Sequence, residues 1–259
     1  MTALRIDNMP AEAYHAKPHL SKSGMSELLR SPAHYQAWLK SQNQQTPAMA
    51  FGTLAHTATL EPDVFSWKYV EQPDDIDFRT KAGKEWKAAV ESDSKIAVKS
   101  ADYQAALGIR NAVMRSPVGP MLKKGATEVS YFNEGLVPLK ARVDHIDGER
   151  IIDIKTTTDA TERAFMRTVS NFKYHLQAAH YMALTGATEF IFVAVETEPP
   201  YAVGLYWLDD AWIAEGQRLR DRAIQIYQEC SQVDAWPAYS VGFRKLSMPA
   251  WAVDSTTEE

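Results

Sequence analysis

The feature that most constrains the fold is a hairpin-like segment at residues 140–155, KARVDHIDGERIIDIK. Apolar and polar residues alternate on both sides of Asp147-Gly148, a dipeptide that favours a tight turn between antiparallel strands. With Asp147-Gly148 as a two-residue turn, Arg142 lies opposite Asp153. The segment therefore predicts two paired strands in a partly buried sheet.

One face of this hairpin is predicted to be polar. Side chains alternate between the two faces of a strand, so four residues would share that face: Arg142, Asp144, Asp153 and Lys155. The opposite, buried face would carry Val143, Ile152 and Ile154. Asp144 and Asp153 would be diagonal neighbours with backbones about 7–8 Å apart. Two carboxylates can reach across that gap and hold one divalent cation between them.

This set of side chains suits hydrolysis of a phosphodiester. Mg²⁺ prefers oxygen ligands and is usually held by one or two carboxylates plus a substrate phosphate. The metal would polarise the phosphate and acidify a bound water, and Lys155 would orient or help to deprotonate that water and stabilise developing charge. The competing interpretation is an exposed hairpin with an ordinary Asp–Lys pair. The apolar flanks favour a central strand and hence the metal site.

Three further segments supply residues that fit the same chemistry. His56 lies one turn into a predicted helix, and a neutral imidazole is a good third ligand for Mn²⁺ or Mg²⁺. Gln177 and Tyr181 lie at i and i+4 on one face of a later helix. Glu128 begins the strand before the hairpin and could supply another acid, directly or through water. Taken singly, each of these residues also fits a purely structural role.

The order of predicted elements describes an α/β protein with an N-terminal helical elaboration. The hydrophobic period predicts helices at 21–40, 50–60, 85–98 and 101–115, strands at 128–132, 138–146 and 150–156, one long helix at 161–184, strands at 189–196 and 203–208, and a helix at 210–230. A polar linker is expected at 41–47 and an acidic tail at 254–259. We expect one domain over 1–259, with a helical part at about 20–116 and a catalytic core at about 125–230.

Composition leaves the partner open. The net charge of −5 argues mildly against a nucleic-acid partner, although an acidic enzyme can bind DNA through a basic groove and bound cations. The longest apolar runs are too short to span a bilayer, and charged residues interrupt the N-terminus where a signal peptide would be apolar. A cytoplasmic location without membrane attachment is expected, and the single cysteine, Cys230, is consistent with it.

Together these residues resemble the PD-(D/E)xK nuclease superfamily. More narrowly, the chain resembles the RecE-type (exonuclease VIII) C-terminal domain, which is related to RecB-like and lambda-type exonucleases. The resemblance spans about residues 10–240 and includes SKSGMSELLRSPAHY at 21–35, GTLAH at 52–56, LEPDVF at 60–65, FRTKAGKEW at 78–86, RVD at 142–144, DIKTT at 153–157 and QAAHY at 177–181. It implies a restriction-endonuclease-like core with a mixed sheet of about five strands flanked by helices.

The resemblance also implies a set of site residues. His56, Asp144, Asp153 and the Ile154 carbonyl would bind Mg²⁺, with Mn²⁺ as a substitute, and Lys155 would be the catalytic lysine. Asp153 stands where the family commonly has Glu. Gln177 and Tyr181 would lie beside the site and contact DNA or position the lysine. The candidates for further DNA contacts are Arg30 with its neighbour Ser31, Arg142, Thr156 and the lysines at 81, 84 and 87, of which Lys81 is the first.

The activity implied by the family is processive 5′ to 3′ digestion of linear duplex DNA, which leaves 3′ single-stranded tails for recombination. The same resemblance implies a phage or prophage setting, a ring-shaped trimer or tetramer, and a single-strand annealing recombinase of the RecT or Beta kind as partner. Two alternatives stay open. One is a Cas4-like or RecB-like single-strand nuclease without an iron–sulfur cluster, because one cysteine cannot hold such a cluster. The other is an inert DNA-binding or assembly protein on the same fold.

Overall fold

The computed structural model describes residues 3–41, 46–239 and 242–249. Its strands are β1 (Leu4–Ile6), β2 (Tyr69–Glu71), β3 (Ile96–Val98), β4 (Ala126–Glu134), β5 (Pro138–Asp147), β6 (Arg150–Thr157), β7 (Glu189–Glu196) and β8 (Val203–Trp207). Six of them form one mixed sheet in the order β1-β4-β5-β6-β7-β8. Within it, β6 and β7 are parallel and the other neighbours antiparallel, whereas β2 and β3 form a separate parallel pair.

Helices cover the sheet and form the N-terminal part of the chain. They are α1 (Ala11–Ala16), α2 (Lys22–Arg30), α3 (Pro32–Ser41), α4 (Pro47–Leu60), α5 (Pro62–Lys68), α6 (Lys81–Ser92), α7 (Ser100–Arg115), α8 (Glu162–Asn171), α9 (Tyr174–Thr185) and α10 (Asp210–Val233), with a 3₁₀ turn at Met121–Lys123. Among the described residues, no helix is both long and apolar enough to cross a bilayer. The α/β class and the mixed sheet flanked by helices confirm the predicted fold.

The predicted helix at 21–40 is divided at Ser31 into α2 and α3, and three further predictions differ from the structure. The sheet has six strands rather than about five, because β1 pairs with β4 at its edge. The predicted helix at 85–98 ends at Ser92, and Ile96–Val98 is a strand because it pairs in parallel with Tyr69–Glu71. The predicted linker at 41–47 lies mostly, and the acidic tail entirely, outside the described residues. The single-domain organisation stays a prediction.

The third difference is that the long helix predicted at 161–184 is two helices. The chain breaks at Phe172 and Lys173, and Lys173 adopts a left-handed conformation with φ 53°. The break has no local signal, since neither Gly nor Pro occurs there. A distant contact stabilises it instead: Lys22 Nζ donates a hydrogen bond to the Phe172 carbonyl at 2.7 Å. The break starts a second helix, α9, over the middle of the sheet.

The sheet separates two apolar clusters. One packs α2, α8, α9 and α10 against residues such as Ile151 and Phe192, and it includes Val143. The other packs α4 and α7 against Ile152 and Ile154. All three residues predicted to be buried in the hairpin have no exposed surface, although they divide between the two clusters. Burying each such side chain stabilises the fold by about 1.5–3 kcal/mol.

His180 fixes α9 to β5 through a buried hydrogen bond. Its ring is fully buried, and Nε2 lies 3.0 Å from the Lys140 carbonyl oxygen. Because a carbonyl only accepts, Nε2 must carry the proton and donate it. Burial lowers the pKa of His180 to about 4, so the ring stays neutral down to that pH.

We expect the stability of the protein to fall in mild acid because of His180. The unfolded histidine binds its proton near pH 6.5, whereas the folded one does so only near pH 4. Between these values the unfolded state binds more protons, so lowering the pH through this window should reduce the free energy of unfolding by about 3 kcal/mol. Urea unfolding at several pH values measures the effect. In His180→Gln, which keeps a donor, the slope should be smaller; an equal slope in both proteins would contradict the assignment.

Candidate active site

The hairpin that was expected to carry the chemistry forms with a different register. The turn is Gly148-Glu149, with Asp147 paired to Arg150 and Ile146 to Ile151. The predicted turn at Asp147-Gly148 and its pairing are therefore wrong by two residues. Gly148 takes the first loop position with φ 59°, where glycine is favoured. A shift of two keeps the predicted alternation of β6, and Asp144 still lies beside Asp153 and Lys155, whereas Val143 packs in a different cluster from Ile152 and Ile154.

Asp144 lies where the two strands of the hairpin separate. The β5–β6 pairing extends only to His145 and Ile152. One residue further on, Asp144 Oδ2 accepts a hydrogen bond from the Ile154 backbone N–H at 2.9 Å. The carboxylate thus takes the place of a backbone acceptor and lies between the strands rather than above one of them.

Asp153 is the most enclosed acid of the site. Its side chain has no exposed surface, Gln177 Nε2 donates to Oδ2 at 2.5 Å, and the Lys155 ammonium group pairs with Oδ1. Gln177 comes from α9, so the helix that follows the break at Lys173 orients this carboxylate. The predicted association of Gln177 with the Asp-x-Lys strand is present in the structure.

A histidine and two carboxylates meet beside this strand. His56 Nδ1, from α4, lies 3.4 Å from Asp144 Oδ2. Ligand atoms of His56, Glu128 and Asp144 all lie within 4.8 Å of one another. Glu128, from β4, is also bound to Arg142, whose Nε donates to Oε2 at 2.6 Å. Two further elements, α4 and β4, and the hairpin strand β5 therefore supply one compact set of donors.

These residues fit a divalent metal ion. Burial, reinforced by the neighbouring Asp153, raises the pKa of Asp144 to about 7, so a cation bound beside this carboxylate would stabilise its charged form. An imidazole with carboxylate oxygens suits Mn²⁺ or Mg²⁺. Asp153 lies outside the three-residue cluster, and its role as a ligand, like that of the Ile154 carbonyl, stays a prediction.

Lys155 and a second lysine share one aromatic ring. Lys155 Nζ lies 4.8 Å from the centroid of Tyr174, and Lys22 Nζ lies 5.4 Å from the same centroid. Burial alone would lower the pKa of Lys155, but the Asp153 and Asp144 carboxylates raise it above its usual value. Lys155 is therefore a permanent cation in this environment. Burial, with repulsion from Lys155, lowers the pKa of Lys22 to about 8.

Lys22 and Tyr174 were missed in the sequence. Both lie near the catalytic strand only because α2 and α9 pack over the sheet, and neither belongs to a recognisable spacing with Lys155. Tyr174 is the first residue after the break between α8 and α9, and nothing in the sequence indicates that break.

The site opens into a cationic cleft of about 930 Å³. Its basic lining residues are His15, Lys17, His19, Lys22, Lys140, Arg142 and Lys155. The aromatic lining residues are Tyr14, Tyr35, Trp38, Tyr174, Tyr181 and Tyr227. Asp144 lies at the wall of this cleft, so the charge of the cleft is opposite to the net charge of the chain. Such a surface matches a phosphate backbone with stackable bases.

The predicted DNA contacts occupy different environments. Arg142 and Tyr181 line the cleft, and Arg30 lines a neighbouring depression of about 650 Å³. Ser31 is buried and its hydroxyl contacts His34 Nδ1 at 2.6 Å. Lys81 is exposed on α6, 3.8 Å from Glu85. Thr156, which follows Lys155, is partly buried. The DNA contacts of all six residues stay predictions.

Similarity to known proteins agrees with this architecture. A candidate exonuclease from Eubacterium rectale has a crystal structure that superposes with a TM-score of 0.63 at 14% identity, over 93% of this chain and 96% of that one. A phage-related exonuclease from Haemophilus somnus 129PT is 13% identical over 84% of this chain and 96% of that one. Its TM-score of 0.35 is too low to indicate a shared fold. The chain has no match among the curated proteins.

The family itself is established by a sequence model. The model described as a PDDEXK-like domain of unknown function (DUF3799) matches residues 21–243, which is most of the chain. The match includes the segments that supply His56, Asp144, Asp153 and Lys155. The superfamily expected from the motifs is thereby confirmed, and the chain belongs to the PDDEXK-like family DUF3799.

Proposed function

We propose that the protein is a metal-dependent exodeoxyribonuclease that hydrolyses linear double-stranded DNA. The observation that carries this proposal is the convergence of His56, Asp144 and the Asp153-x-Lys155 strand at the wall of a cationic cleft. A PDDEXK-like fold with a disrupted site would lack one of these groups. Here all of them are present and connected by direct contacts.

Each residue of the site has a definite task in this reaction. A bound divalent ion would polarise the scissile phosphate and acidify a water molecule. His56 and Asp144 would hold that ion. Asp153, fixed by Gln177, keeps the Lys155 ammonium group in place. The permanent charge of Lys155 orients the attacking water and stabilises the negative charge that builds on the phosphate; its raised pKa makes it a cation rather than a base.

The cleft would hold the strand that is cut. Lysines in its lining such as Lys17 and Lys22 neutralise phosphates, and partly exposed aromatic side chains such as Trp38 and Tyr174 offer surfaces on which bases stack. Exonucleolytic action in the 5′ to 3′ direction, processivity, a ring-shaped trimer or tetramer, and a recombination partner that anneals single strands are supported by the resemblance to RecE-type domains. The name of the Eubacterium rectale relative agrees with an exonuclease, whereas its 14% identity supports the fold alone.

Digestion of end-labelled DNA tests this proposal. With Mg²⁺ or Mn²⁺, the protein should release nucleotides from linear duplex DNA and from the 5′ end first, whereas EDTA should stop release and covalently closed circles should persist. Chelator-insensitive binding without release would favour the inert DNA-binding alternative. Faster digestion of single strands than of duplexes would favour the RecB-like alternative.

A further inference from the structure

Glu128 has a backbone conformation that is unusual for a residue in a strand. It lies within β4 with φ 53°, in the left-handed region that side chains other than glycine rarely occupy. The pairing with β5 is regular on either side, since Thr127 pairs with His145 and Val129 with Val143. The strain is therefore confined to one residue, and such strain persists only where surrounding contacts impose it.

The unusual conformation places a second carboxylate beside Asp144. The Glu128 and Asp144 oxygens lie within 4.8 Å of each other and of the His56 ring nitrogen. Two carboxylates this close repel each other unless a cation or a proton lies between them. Of the three carboxylates at the site, Glu128 is offset by Arg142 and Asp153 by Lys155, so the charge of Asp144 is left for a metal ion to offset. A cation shared by the two carboxylates accounts for both the strain and the proximity.

Arg142 holds this carboxylate in position. Its Nε donates to Glu128 Oε2 at 2.6 Å, and its Nη1 donates to the Met9 carbonyl at 2.7 Å and to Ser130 Oγ at 3.3 Å. The guanidinium is thus anchored on the N-terminal segment and on β4. It binds one Glu128 oxygen, so the other is available to a metal ion.

We propose that Glu128 is a third protein ligand of the metal, together with His56 and Asp144, and that Arg142 is its positioning residue. This inference rests on the proposed function in one respect, because it requires that the site binds a divalent ion. It assigns Arg142 to the metal site rather than to DNA. It also gives the ion one further carboxylate oxygen in place of a water molecule.

Metal binding without DNA tests the inference. Mn²⁺ affinity is measured by electron paramagnetic resonance, and the waters on bound Eu³⁺ are counted from luminescence lifetimes in H₂O and D₂O. Glu128→Gln should weaken Mn²⁺ binding by at least about tenfold and add one water to Eu³⁺. The matched control is Glu189→Gln, which removes an equivalent pair, Arg150 Nε to Glu189 Oε2 at 2.6 Å, elsewhere in the sheet. The control should leave both values unchanged.

A double variant separates ligation from electrostatics. Glu128→Gln also releases the Arg142 charge, which could repel the ion. In Glu128→Gln/Arg142→Gln the weak affinity and the additional water should remain; recovery of wild-type values would overturn the inference, as would unchanged values in Glu128→Gln. If circular dichroism shows that Glu128→Gln is unfolded, Glu128→Asp, with its shorter reach, should show the same weaker affinity. A protein that binds Mn²⁺ in this way but cuts no DNA would refute the proposed function and leave the inference intact.

Discussion

Lys155→Ala should reduce DNA cleavage by about 10³-fold while Mn²⁺ still binds. The lysine contacts Asp153 and not the cluster of His56, Glu128 and Asp144. Its removal therefore takes away the charge that acts on the water and the phosphate, and leaves the donors of the ion in place. Cleavage is measured under single-turnover conditions, and metal binding by calorimetry on the same preparation.

Two controls make this experiment decisive. Lys124→Ala removes an exposed lysine ahead of β4 and should cleave normally. Circular dichroism must accompany Lys155→Ala, because losing one partner of a buried ion pair costs about 3–5 kcal/mol. A folded Lys155→Ala that cleaves at more than a tenth of the normal rate would remove the lysine from the mechanism. A folded variant that no longer binds Mn²⁺ would instead make it part of the metal site.

The shared face of the hairpin could be predicted from sequence although its register could not. Strand alternation has a period of two, so an error of two residues in the turn leaves Asp144 and Asp153 on the predicted face. The turn itself was ambiguous because Asp147-Gly148 and Gly148-Glu149 both place a glycine in a two-residue loop. Alternation also could not show that the Asp144 carboxylate lies between the strands.

Contacts made across long stretches of sequence could not be predicted from spacing. Lys22 bonds to the Phe172 carbonyl and lies over Tyr174 because two helices pack on the same side of the sheet. The left-handed conformation of Glu128 likewise has no signal in the strand pattern, which reads as regular alternation. His56 was a candidate ligand because of its imidazole, but only the resemblance assigned it to the metal site, because a single histidine in a helix usually has a structural role.

A long-range contact also explains why the single helix predicted at 161–184 is two helices in the structure. Its apolar residues continue at helical spacing across Phe172 and Lys173, so local periodicity predicts one helix. The tertiary contact from Lys22 favours a break instead. That break positions Gln177 over Asp153, so a helix break that the sequence did not predict orients the strand of Asp153 and Lys155.

Asp144→Asn should abolish metal binding and cleavage while making the metal-free protein more stable. The asparagine oxygen can still accept the hydrogen bond from the Ile154 N–H, so the junction of β5 and β6 is kept. What disappears is a buried negative charge beside Asp153, whose cost is evident in the raised pKa of Asp144, about 7. At pH 8 we expect the variant to gain about 1–3 kcal/mol in free energy of unfolding.

The pH dependence of this gain follows from its sign. A carboxyl group with a raised pKa in the folded state favours folding while protonated, and that contribution is lost as the pH rises through about 7. The advantage of Asp144→Asn should therefore be small at pH 5 and large at pH 8. Saturating Mn²⁺ should reverse the order, because only the wild-type protein gains stability by binding the ion. Urea unfolding with and without Mn²⁺ measures all four conditions. A variant that is less stable than the wild type at pH 8 without metal, or that binds Mn²⁺ equally well, would show that Asp144 is an ordinary structural acid.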